Sequence, residues 1–168
     1  DPAGNGLTAI PKTNNFTFNP KLFLYFNNKT SAWFGVNTNY NDRFGGDIKV
    51  INDKADSLHR FFEHDKTFRF STQFSFTHEI NDESRINFKN AVSFFNRNFS
   101  MPVFQFEAHE VSSFSEINYS NTKEKTEWIA GLNLSTENFI TQANGYDNYM
   151  LNTSGVFIQN TFKAAKWF

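Results

Sequence analysis

From Lys66 to Ile80 the chain alternates with a period of two. Even positions read Phe68, Phe70, Thr72, Phe74, Phe76, His78 and Ile80; between them stand Thr67, Arg69, Ser71, Gln73, Ser75, Thr77 and Glu79. Successive side chains of an extended chain point to opposite faces, so this run predicts a strand with one aromatic and one polar face. It is also far longer than the roughly 5–6 residues usual in soluble sheets. After the polar turn Asn81-Asp82-Glu83-Ser84, the segment Arg85–Phe95 alternates again. Ile86, Phe88, Val92 and Phe94 oppose Arg85, Asn87, Lys89 and Ser93. Two such runs around a short polar turn predict a hairpin.

The same unit occurs twice more. Phe16–Phe26 and Ser31–Tyr40 flank Asn27-Asn28-Lys29-Thr30, and Val103–Tyr119 and Glu127–Asn138 flank Asn121–Thr126. A seventh strand is predicted from about Thr153 to Phe162. The links Asn41–Asp65, Asn96–Pro102 and Phe139–Asn152 read as long loops, so short turns gather at one end of the sheet and long loops at the other. Composition agrees with strands: Phe supplies 23 residues, and aromatic and β-branched residues fit a pleated surface. No run approaches the 18 or so apolar residues of a membrane helix. The predicted fold is therefore all-β, an antiparallel up-and-down meander of about seven to eight strands.

The two faces choose the solvents. The polar one is built mainly of Ser, Thr, Asn and Gln with a few opposed charges, which suits a hydrated lumen. The Phe-rich one suits lipid, with Trp33, Tyr25, Trp128, Tyr119, Trp167 and Tyr40 near strand ends where interfacial girdles form. This reading makes the chain a slice of a transmembrane β-barrel. Two alternatives stay open: a soluble β-sandwich or small-barrel binding module, and a complete eight-stranded barrel using Leu7–Thr13 as an extra strand. The first residues show no charged-then-apolar leader, which fits an intracellular protein or a mature or partial exported one.

Short motifs sharpen the membrane reading. Gly35-Val36-Asn37 leads into Asp42-Arg43-Phe44-Gly45-Gly46-Asp47, Gly131-Leu132-Asn133-Leu134 recurs in a later strand, and Gly155-Val156-Phe157-Ile158-Gln159-Asn160-Thr161-Phe162-Lys163 follows. In these the chain resembles the β-barrel of TonB-dependent outer-membrane receptors, particularly the Bacteroidetes type. The resemblance implies a bacterial outer-membrane location, contact with outer-membrane lipid, and uptake of a scarce small-molecule or glycan ligand, of the siderophore, cobalamin or glycan class. It also implies a plug domain and a segment that contacts TonB. Neither is read in residues 1–168, which are taken as a partial barrel.

Other chemistry is not found. A net charge of −1 gives no electrostatic footprint for nucleic acid. The absence of cysteine excludes disulfides and thiol chemistry. No nucleophile elbow, P-loop, dinucleotide fingerprint or HExxH occurs, so neither an enzyme nor a cofactor is expected. Glu107 and His109 share a strand face but lack a third metal ligand; no metal site is expected. Asp56–Asp65 reads either as a short helix capped by Asp56 or Ser57, with Leu58, Phe61 and Phe62 on one face, or as an extended strand. The ligand-binding candidates are Arg43 and Asp47 around the paired glycines, and the aromatic loop residues Tyr146 and Tyr149. Arg43 and Asp47 also admit a structural reading, a local ion pair beside glycines that permit a positive φ.

Overall fold

The computed structural model describes residues 4–162. Its elements are β1 (Lys12–Phe18), β2 (Lys21–Asn27), β3 (Thr30–Gly46), a single helical turn α1 (Ile48–Ile51), β4 (Phe62–Asn81), β5 (Ser84–Met101), β6 (Phe104–Lys123), β7 (Thr126–Thr141) and β8 (Tyr149–Phe162). All strands join one antiparallel sheet in the order β1-β3-β4-β5-β6-β7-β8, with β2 also on β3. The predicted up-and-down meander is what forms. It is open, and no second layer packs on it among the described residues, so neither the sandwich nor the closed eight-stranded barrel is seen. Leu7 makes only an isolated bridge to Asp47 and contributes no extra strand.

β1 and β2 are two halves of one path. Phe18 faces Thr38 and Lys21 faces Gly35, the same register on either side of Asn19-Pro20. The Val36 N–H donates to the Pro20 carbonyl at 3.1 Å, but proline has no N–H to return, and the ladder breaks there. Proline is tolerated because this strand is an edge.

The turns at Asn28, Asp82 and Lys123 lie together at one end. Asn27 and Asn81 build theirs the same way, each side-chain oxygen accepting an N–H two residues on, from Lys29 at 2.9 Å and Glu83 at 3.0 Å. Such Asx turns are why asparagine suits these positions. Neighbouring turns are stitched by backbone bonds of 2.7 Å, from Glu79 N–H to the Lys29 carbonyl and from Thr122 N–H to the Glu83 carbonyl.

The other end corrects the predicted links. β3 continues to Gly46 and β4 starts at Phe62, leaving 47–61 as the connection. The stretch Asn96–Pro102 is not a loop: β5 runs to Met101 and turns tightly through Pro102-Val103 into β6. The third link shrinks to 142–148, between β7 and β8. The helix proposed over Asp56–Asp65 does not form. Asp56 Oδ1 does accept from the Leu58 and His59 N–H groups, at 2.9 and 3.0 Å. No helix follows, and Phe62–Asp65 belong to β4. Among the described residues the one helical turn is instead α1, capped by Asp47 accepting from the Lys49 N–H at 2.8 Å.

Register assigns the faces. Phe70 pairs with Phe94 and Phe76 with Phe88, while Arg69, Gln73, Arg85 and Lys89 fall on the opposite parity. The apolar face continues through Ala32, Phe34 and Tyr40 of β3, Ile117 and Tyr119 of β6, Leu132 and Leu134 of β7, and Val156 and Ile158 of β8. Trp128 belongs to it as well. Trp33 and Tyr25 do not: both lie on the polar face, where the Lys21 ammonium sits 4.8 Å from the Trp33 ring. Trp167 lies outside the described residues. Among the described residues only Ala32 and Ala108 are buried apolar residues. A single sheet exposed on both sides has no interior for its Phe residues. Among the described residues no helix is long and apolar enough to cross a membrane.

Candidate functional site

The polar face divides into two halves of different character. Toward the short turns its groups satisfy one another. Thr77 Oγ1 donates to Asn87 Oδ1 at 3.0 Å, Asn87 Nδ2 to Asn118 Oδ1 at 2.9 Å, and Asn118 Nδ2 to Glu116 Oε1 at 2.9 Å, with Lys89 Nζ 3.1 Å from the same oxygen. Arg85 donates to Ser120 Oγ at 3.0 Å and lies 3.5 Å from Glu127. This is a closed polar network of the kind that rigidifies a surface.

Toward the other end the face becomes aromatic. Asn39, Arg69, Phe95, Glu110, Phe139 and Tyr149 form one cross-strand row, a residue from each strand from β3 to β8. The Arg69 guanidinium lies 4.6 Å over the Phe95 ring. Phe139 and Tyr149 stack at 5.2 Å with 17° between planes, and the Tyr149 hydroxyl donates to Glu137. Two rows further on come Arg43, Asp65, Phe99 and Phe106. Arg97 grips Asp65 through Nε and Nη2 at 3.0 Å each, a bidentate pair that fixes both side chains.

The four candidates from the sequence are placed differently. Arg43 lines a cleft of about 420 Å³ with Gly45, Gly46, Glu63, Asp65 and Arg97. Asp47 is buried and spent on the helix cap, and no ion pair joins it to Arg43 among the described residues. Gly46 holds φ at +130°, and a Cβ there would meet the Phe61 carbonyl oxygen; the glycines let chain segments meet. Tyr146 sits in the 142–148 connection with its ring edge-on to Phe106 at 5.4 Å. Tyr149 is not in a loop; it opens β8. The row of Phe106, Phe99, Asp65 and Arg43 thus connects Tyr146 to the cleft, and Tyr149 belongs to the row of Arg69, Phe95, Glu110 and Phe139. These last four are missed by motif reading, because only the register of four hairpin arms brings them side by side.

The histidines make small local pairs. His109 Nε2 lies 3.4 Å from Glu107 and its Nδ1 lies 2.8 Å from Asn96 Oδ1. His64 Nε2 is 2.7 Å from Asp42 Oδ1, and the Tyr40 hydroxyl donates to Asp42 Oδ2 at 3.1 Å. His78, on the apolar face, bonds Thr30 Oγ1 at 2.9 Å. Among the described residues no group of three His, Cys, Asp or Glu is arranged to hold a metal ion. Asp42, His64, Lys66, Asn98 and Glu107 form a polar rim on the apolar face beyond Tyr40 and Phe68.

A concavity of about 560 Å³ lies on the apolar face among residues such as Ile117, Leu132, Val156 and Ile158. It holds no charged group and offers no chemistry. The polar face near the row of Arg69 and Tyr149 is the candidate site. No protein-family model, curated protein or solved structure matches the chain.

Proposed function

We propose that this chain is part of the wall of an outer-membrane receptor of the TonB-dependent kind, with lipid on its Phe face and a water-filled lumen on its polar face. Such a receptor captures a scarce ligand and admits it through the barrel, TonB acting through a segment outside these residues. The role assigned to the chain is binding and passage, with no catalytic step.

The observation that carries this reading is a single sheet separating two chemistries, with no second layer on either among the described residues. Phe16, Phe18, Phe34, Phe68 and Phe94 are each 39–57% exposed. Full burial of a Phe is worth roughly 1.5–3 kcal/mol, so at half that value these five forgo about 4–8 kcal/mol in water. That is comparable with the whole stability of a domain, about 5–15 kcal/mol. Lipid removes the cost. The dimensions support it too: Phe76 to Phe68 runs about 27 Å along the strand at about 3.4 Å per residue. A tilt of about 40° brings this to about 21 Å, close to the roughly 25 Å apolar band of outer-membrane barrels. The rim of Asp42, His64 and Lys66 then falls at the headgroups.

Tryptophan fluorescence in bilayers containing brominated acyl chains tests the reading. With Trp167 replaced by Phe, a variant keeping only Trp128 should be strongly quenched and one keeping only Trp33 should not. Equal quenching of the two, or a monodisperse monomer that melts cooperatively in detergent-free buffer, would overturn it and return the case to a soluble binding module.

A further inference from the structure

We propose that the depression floored by Ser71, Ser93 and Ser112 is a subsite for an uncharged polyhydroxylated ring, a saccharide unit. The inference rests on the reading of the polar face as a lumen, and it names the ligand class and where it sits.

Register puts Ser71, Ser93 and Ser112 in one row on three successive strands. The neighbouring row on the loop side is Arg69, Phe95 and Glu110; on the turn side it is Gln73, Ala91 and Phe114. Between these taller walls lies a hollow of about 430 Å³, reached also by Ser135 and Glu137. With strands about 4.8 Å apart, the three serines span about 10 Å, the length of a disaccharide.

Apart from Glu137, which accepts from the Tyr149 hydroxyl, the polar groups here differ from those of the short-turn network in being uncommitted. Thr77, Asn87, Asn118, Glu116 and Lys89 consume one another's donors and acceptors. No hydrogen bond joins Ser71, Ser93, Ser112, Gln73 or Glu110 to another described side chain. That network is thus closed on itself, and the serine floor is open.

The residue types select the ligand. Serine hydroxyls and the Gln73 amide both donate and accept, as sugar hydroxyls do. The Glu110 and Glu137 carboxylates accept from hydroxyl pairs, and the Arg69 guanidinium, held on Phe95, donates. Phe114 supplies apolar surface for the C–H face of a ring, and Phe95 seats the Arg69 guanidinium that donates. Charge excludes the other common class: two carboxylates against one guanidinium disfavour an anion.

Titration calorimetry of the whole chain folded in detergent micelles gives the test, with neutral gluco-, manno-, galacto- and xylo-oligosaccharides of two to six units and with oligouronates as anionic probes. At least one neutral series should bind, at least tenfold more tightly than the uronates. Binding should weaken at least tenfold in Ser93→Phe, which fills the floor. Glu110→Gln and Phe95→Ala leave the floor open and should each weaken it as well, whereas Lys89→Met in the closed network should leave it unchanged. Silence across the neutral panel, preference for uronates, or indifference to Glu110→Gln and Phe95→Ala would overturn the subsite. Trp128 quenching in brominated lipid separates the two failures. With quenching intact only the subsite falls; without it the lumen reading falls and takes the subsite with it.

Discussion

A Cβ on Gly46 would stand 2.5 Å from the carbonyl oxygen of Phe61, and 2.6 Å from the next Cα. The same carbonyl accepts the Asp47 N–H at 2.9 Å, so the two chain segments touch where the 47–61 connection leaves and rejoins the sheet. Gly46→Ala must break this contact as well as adopt φ +130°. We expect a loss of roughly 1–3 kcal/mol, confined to this corner. Hydrogen exchange should show the Asp47 amide deprotected while β5 and β6 are unchanged.

Pro20→Val should have the opposite sign. The position pairs with Val36 in an unbroken register, and valine supplies the missing N–H and fits a strand. One added backbone hydrogen bond is worth about 0.5–1.5 kcal/mol. Denaturant unfolding in detergent should shift by that amount, and β1 and β2 should merge into one protected edge.

Parity of position decides where charge is tolerated. Phe70 lies in the middle of the apolar face opposite Phe94, with ring centroids 6.4 Å apart. Phe70→Arg should cost about 2–4 kcal/mol of folding stability in a bilayer. Gln73→Arg, three residues away on the other face, should change it by less than about 0.5 kcal/mol. Folding titrations into phospholipid vesicles compare them directly.

The 47–61 connection carries a pH-sensitive clasp. Asp56 is held well below the usual carboxylate range by the Lys49 ammonium at 2.9 Å, then by the His59 ring and the Leu58 N–H. A depressed carboxylate stabilises the structure above its unfolded value, about 3.9, and that contribution fades as pH falls through the lower folded value. Between neutrality and about pH 4 the clasp should therefore persist. Below that, exchange at the Leu58 and His59 amides should accelerate, and Asp56→Asn should remove the acid dependence.

Period-two alternation exposes a strand only while its two faces meet different solvents. From Phe68 to Phe76 they do, and the hairpin, its faces and the short turns are readable from the residues alone. Past Tyr40 and Phe68 both faces are polar, or the aromatics change sides: Asn96 and Asn98 lie on the face of Phe94, while Phe95 and Phe99 lie with Arg69. The pattern there resembles a loop although β5 runs through it. The paired glycines mislead in a different way, since Gly46 serves a backbone contact with a segment fifteen residues on. Arg43 and Tyr149 stand out in sequence as a charge and an aromatic near strand ends. Arg69, Phe95 and Glu110 look like ordinary members of three separate strands, and only register makes them neighbours.

The common register of Lys12–Tyr25 along β3 fixes an arithmetic of assembly. Counted as one path, β1 and β2 make the sheet seven strands wide, so its first and last edges run in the same direction. Such edges cannot meet each other antiparallel. A second copy that met β8 with its own β8 would do so only upside down, sending its long connections to the opposite end of the sheet. Whatever closes this wall with one orientation throughout must bring an odd number of strands. Gain or loss of whole hairpins, which moves strands in twos, leaves that requirement untouched.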